Sequence, residues 1–113
     1  MSDISDISEE TKETKIIKLK SLLGFAQKGG KLISGEESVL KAIKSNKIKL
    51  LLIASDSSKN TKDRYLNQVV YYNVPYKETI LTKEEIGCSI GKVQRSAVAI
   101  VDEGFAKAIL NLV

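Results

Sequence analysis

Lys28-Gly29-Gly30-Lys31-Leu32-Ile33-Ser34-Gly35-Glu36-Glu37-Ser38-Val39-Leu40-Lys41-Ala42-Ile43-Lys44 holds a helix stop, a short extended piece and a helix start. Gly29-Gly30 ends a preceding helix, because glycine takes the left-handed C-cap conformation at little cost. Lys31–Ile33 reads as a short strand at or near a sheet edge. Ser34 and Glu37 have capping-box spacing, in which Ser34 accepts from the Glu37 amide and Glu37 reaches back to the Ser34 amide. A helix then follows from about Gly35 to Ser45, with Asn46 as its C-cap. Val39, Leu40 and Ile43 share one face, and Lys41 and Lys44 lie near the other. The start of this helix presents free N–H groups and a partial positive charge, which favour phosphate.

Downstream, Leu50 to Ala54 is apolar throughout, as a central strand covered on both faces must be. Ser58 caps a third helix over about Lys59–Tyr72, facing inward through Tyr65, Leu66, Val69 and Val70. Asn73 and Pro75 end it and open a strand over about Tyr76–Leu81. Thr82-Lys83-Glu84-Glu85 repeats the capping-box spacing, and Ile86 and Ile90 point inward from the short helix that follows. Gly91 closes that helix, Lys92–Arg95 is a loop, and Ser96–Val101 is a second apolar strand. Asp102 caps a last helix through Phe105, Ile109 and Leu110. Upstream, Thr11 caps a helix whose stripe is Ile16, Leu19, Leu22, Leu23 and Ala26. Residues 1–11 read as a disordered acidic tail and 12–113 as one domain. Alternating helices and strands predict an α/β fold, a three-layer α/β/α sandwich on a four-stranded mixed sheet.

Charge is uneven along the 113 residues. The first fourteen hold Asp3, Asp6, Glu9, Glu10 and Glu13 against Lys12 alone. The total is 18 basic and 14 acidic side chains, so the rest carries 17 against 9. Such a domain suits a polyanionic partner, although lysines also simply solvate surfaces. The chain has no histidine and one cysteine, Cys88. That removes the usual triad base and any intrachain disulfide, and Cys88 reads as a buried, inert thiol. The pairs Glu36-Glu37 and Glu84-Glu85 are accounted for as helix caps. Neither a P-loop nor metal-ligand spacing is present. These features predict a non-enzyme without cofactor or metal. The start is not a signal peptide, and no apolar run spans a membrane, which predicts a cytoplasmic protein.

Gly35-(x)5-Lys41-Ala42, the run Lys49–Asp56, Asn73-Val74-Pro75-Tyr76 and Ile86-Gly87-Cys88-Ser89-Ile90-Gly91 follow one another in an order that resembles the kink-turn RNA-binding family of ribosomal proteins (the L-seven-Ae family). Within that family the chain resembles the small bacterial members of the YlxQ/YbxF type. The resemblance covers roughly Lys18 to Leu110. It implies a cytoplasmic, ribosome-associated monomer that binds a kink-turn or similar structured RNA, ribosomal RNA included. It also implies that the start of the second helix lies near the loop before the last strand. The RNA face would then comprise Lys28, Lys31, Gly35, Glu37, Ser38, Lys41, Lys92, Val93, Gln94 and Arg95.

Gly35 and Lys41 match the family's glycine and lysine. Glu37 falls where many members have asparagine, and Ser38 where many have glutamate. An ionised Glu37 can only accept hydrogen bonds, so it either receives a base amino group or serves as the cap. Val93 would pack on an extruded base while Lys92 and Arg95 meet phosphates. Phe25 and Phe105 fall on core-facing stripes and the tyrosines lie in or beside the third helix, so no stacking platform is expected. A protein-interaction module on the same fold, without nucleic acid, is the competing reading.

Overall fold

The two apolar runs form the middle of the sheet. The computed structural model describes residues 11–112, in the order α1 (Lys12–Lys28), β1 (Leu32–Ser34), α2 (Glu36–Lys44), β2 (Leu50–Ile53), α3 (Lys59–Tyr71), β3 (Tyr76–Glu78), α4 (Lys83–Ser89), β4 (Ala97–Ile100) and α5 (Glu103–Leu110). The segment read as an acidic tail lies, apart from Thr11, outside the described residues. Strand order is β1-β4-β2-β3. β4 pairs antiparallel with both β1 and β2, and β2 pairs parallel with β3.

Side chains alternate along β2. Leu50 and Leu52 join Leu19, Leu23, Ile86 and Ile109 from α1, α4 and α5. Leu51 and Ile53 join Val39, Ile43, Tyr65 and Val69 from α2 and α3. Each fully buried leucine or isoleucine contributes on the order of 1.5–3 kcal/mol, so both faces of the sheet must be covered. The result is the predicted three-layer α/β/α sandwich on a mixed four-stranded sheet.

β1, β2 and β3 all run opposite to β4. The helices that follow them, α2, α3 and α4, therefore begin at the same end of the sheet. Four helices stop on a left-handed residue: Gly30, Asn46, Asn73 and Gly91 all have positive φ. After α1, the Lys31 amide donates to the Ala26 carbonyl at 2.8 Å and Gly30 to Gln27 at 3.2 Å, which closes a Schellman motif.

Several expectations need correction. Ser34 does not cap α2. It is paired in the ladder with Val98, and Gly35, at φ 91°, is the N-cap without a side-chain hydrogen bond. The strand from Tyr76 ends at Glu78 rather than Leu81, because its partner β2 ends at Ile53. Thr79 then turns the chain, its hydroxyl accepting from the Leu81 amide. Val70, Leu110 and Phe25 are exposed rather than core residues. Phe25 sits about 120° around α1 from Leu19 at 3.6 residues per turn. Cys88 is exposed too, since Ile86 and Ile90 take the inward face of α4.

Candidate nucleic-acid interface

The β1–β4 register sets the site. Ser34 pairs with Val98, so Gly35 emerges beside the residues that precede Ala97, which are Arg95 and Ser96. Gly35 and Glu36 line one side of a pocket of about 210 Å³, with Gln94, Arg95 and Tyr65 also on its walls. The start of α2 and the loop before β4 are thus neighbours, as the sequence resemblance implies.

α2 begins uncapped by any side chain. Its first-turn N–H groups have no intrahelical partner. Glu36 is committed elsewhere, in an ion pair with Arg64 of α3. Glu37 and Ser38 are exposed, and Glu37 plays no part in capping. Lys41, also exposed, lines a neighbouring groove of about 280 Å³ with Ser38 and Ile33. Burial, and then the Glu36 charge, push the Tyr65 hydroxyl up to about 12, against the opposing pull of Arg64. It therefore stays a protonated donor at neutral pH.

The loop of residues 92–95 is held from several sides. The Lys92 amide donates to the Gly87 carbonyl at 2.8 Å and the Arg95 amide to Lys83 at 3.1 Å. The Arg95 Nη1 donates to the carbonyls of Val93 and Gln94 at 3.3 and 3.0 Å. The Ser57 hydroxyl donates to the Ser96 carbonyl at 2.9 Å. Gly87 fits because a Cβ there would lie 2.0 Å from the Val93 carbonyl oxygen. Against this framework Lys92, Val93 and Gln94 point outward, with Val93 78% exposed. Arg95 is half-buried, and its Nε is enclosed without a partner among the described residues.

The start of α4, which carries this loop, is fixed by the predicted capping box. Thr82 accepts from the Glu85 amide at 3.2 Å, and Glu85 accepts from the Thr82 amide at 3.0 Å. Asp56 accepts from the Lys83 amide at 2.7 Å, and Lys20 pairs with Glu85 at 3.4 Å. The Thr82 amide, reinforced by Lys20 against a partial burial cost, holds the Glu85 carboxyl below its ordinary range.

Lys28 and Lys31 are placed differently. Lys31 precedes β1, and its carbonyl accepts from the Val101 amide at 3.0 Å. That is the opposite end of the sheet, about 13 Å from Gly35 at 3.3 Å per residue. The structure thus joins Gly35 to Gln94 and Arg95, sets Ser38 and Lys41 alongside, and leaves Lys28 and Lys31 at the far end. The sequence put Tyr65 in the core without tying it to this pocket, and gave no role to Ser57, to Gly87 as a support or to the Glu36–Arg64 bridge. Only Gly87 carried a signal, as a glycine inside a helix where alanine is better by about 1 kcal/mol. Phe25 and Tyr71 are exposed rings, but neither lines the pocket.

Among the described residues, no group of three or more potential ligands could hold a metal ion, and no helix is long and apolar enough to cross a membrane. The profile of the ribosomal protein L7Ae/L30e/S12e/Gadd45 family matches residues 17–110. The RNA-binding protein YlxQ of Bacillus subtilis is 41% identical over 91 residues, covering 80% of this chain and 90% of that protein. The large ribosomal subunit protein eL30 of Saccharolobus solfataricus is 33% identical over 97 residues, covering 85% of each. A solved structure of a protein of unknown function from Bacillus halodurans superposes with a TM-score of 0.77 at 33% identity, covering 84% of this chain and 95% of that one.

Proposed function

The chain belongs to the ribosomal protein L7Ae/L30e/S12e/Gadd45 family, and from that premise we propose that it is a ribosome-associated RNA-binding protein that recognises a kink-turn or similar structured internal loop. The observation that carries the reading is the uncapped start of α2 lying against the braced loop of residues 92–95. Free helix amides receive a phosphate or base edge, Gly35 lets the backbone approach closely, and Lys41 donates to a guanine edge. Ser38 adds a hydroxyl, and Glu37 accepts from a base amino group. Val93 packs on an extruded base, with Lys92 and Gln94 beside it. Arg95 first ties its own loop and offers its remaining N–H groups to phosphate. Lys28 and Lys31 reach more distant parts of the RNA. Similarity to RNA-binding and ribosomal proteins supports this reading and a non-enzymatic role. The protein acts as a cytoplasmic monomer.

The test is a binding titration with a kink-turn RNA and a control in which its sheared G·A pairs are replaced. The kink-turn RNA binds far more tightly, and Lys41→Ala loses about 1–3 kcal/mol on it with little change on a plain duplex. Equal affinity for the two RNAs would overturn kink-turn recognition. Equal weakening on loop and duplex by Lys41→Ala would reduce Lys41 to a phosphate contact.

A further inference from the structure

Two grooves are lined by alternate residues of the turn after α2, Ser45 and Lys47 on one and Asn46, Ile48 and Lys49 on the other. The first begins beside the start of α2, at Ser38 and Lys41, and ends at Ser45 and Lys47. The second, about 430 Å³, takes up the same turn at Asn46 and Lys49 and continues to Lys107 of α5. Its floor includes apolar groups of Ile48 and Leu110. In this turn Asn46 is left-handed at φ 60° and the Lys49 amide donates to the Ile100 carbonyl at 2.7 Å. Lys41, Lys47, Lys49 and Lys107 are all exposed. None belongs to an ion pair among the described residues, whereas Lys20, Lys59, Lys62 and Arg64 each have a carboxylate partner. Among the described residues Glu103 is the one carboxylate lining either groove.

We propose that the sugar-phosphate backbone of an RNA arm leaving the recognition face follows these two grooves, over Lys41, Lys47 and Lys49 to Lys107 at the opposite end of the sheet. The inference rests on the RNA-binding reading above and extends it from a loop-sized contact to a footprint that includes one flanking arm. Charge complementarity selects the occupant, and continuity with the recognition face selects RNA over an acidic polypeptide. Phosphate contacts of this type position the RNA and carry no sequence information. The track therefore rewards arm length and tolerates any arm sequence.

The experiment uses the full chain and two RNAs with the same internal loop. One has short arms, and in the other one arm is lengthened by a helical turn. The parent binds the longer RNA more tightly. The triple variant Lys47→Gln, Lys49→Gln, Lys107→Gln loses that advantage but binds the short RNA as the parent does. On the longer RNA its slope of log affinity against log salt is shallower by about two to three, at roughly 0.7–0.9 per phosphate neutralised. Arginine at the same three positions restores the slope, and an unchanged melting temperature shows the triple variant folded. A parental slope for the glutamine variant on the longer RNA overturns the track. In a parallel titration with polyglutamate, a loss confined to that polymer overturns it too, and would make the surface an acidic-peptide site. If the parent binds neither RNA, the RNA-binding reading itself has failed, which the short RNA alone reveals.

Discussion

Gly87 holds the loop of residues 92–95 in place from behind. Helix propensity alone would make alanine better there by about 1 kcal/mol. A methyl group, however, would sit 2.0 Å from the backbone carbonyl of Val93, where nothing flexible can give way. Gly87→Ala is therefore expected to lower both the melting temperature and RNA affinity, as α4 and the loop are forced apart. Val93→Asp provides the contrast. Its side chain is 78% exposed, so the melting curve should stay put while affinity falls, because a carboxylate then faces RNA. Thermal melts and titrations on the two variants separate the roles. Parental affinity for Val93→Asp would remove this loop from the RNA face. At this scale the sequence was least legible. Phe25 and Cys88 each lie one helical step from a core position, and only the packed neighbours decide which way such residues turn.

The two Ser/Thr-x-x-Glu segments show how far an element can be read from its own residues. At Thr82 and Glu85 the capping box forms as its spacing predicts. At Ser34 and Glu37 it does not, because Ser34 is held in the β1–β4 ladder and Gly35 makes the turn into α2. Local spacing was the same, and a partner strand more than sixty residues away decided between them. Helix stops were more legible, since glycine and asparagine supply the left-handed conformation themselves. Thr82→Ala should cost about 1 kcal/mol, read by chemical denaturation. Glu85 also predicts a pH dependence. Its carboxyl is held down in the folded state, so its contribution is present at neutral pH and above the unfolded value. That contribution is lost as pH falls through the folded value. Glu85→Gln should have a shallower acid-side decline in melting temperature, and an unchanged decline would show that the box is not acting through the charge.

For the whole molecule, the sandwich was legible because both central strands are uninterrupted apolar runs, which only a doubly covered sheet accommodates. The grouping of the site was legible only through family resemblance, since adjacency of Gly35 and Arg95 depends on strand register. Charge also acts at this scale. Deleting residues 1–10 removes Asp3, Asp6, Glu9 and Glu10 and raises the net charge from +4 to +8. Apart from Met1, Ile4 and Ile7 those ten residues are serines and acids, with little apolar surface to bury. The melting temperature should stay within a few degrees, and RNA affinity at low salt should hold or rise. A large fall in either would show that the segment contributes to the fold or to binding. The strand order has a further consequence, for synthesis. Among the described residues β1 has no ladder partner other than β4, and β2 has only β3 until β4 arrives. The nascent chain therefore cannot close its sheet until Ala97–Ile100 has been made and has left the exit tunnel. Sheet closure is then governed by non-local pairing with the last strand, and a stop codon just before Ala97 would leave two of the three ladders unmade.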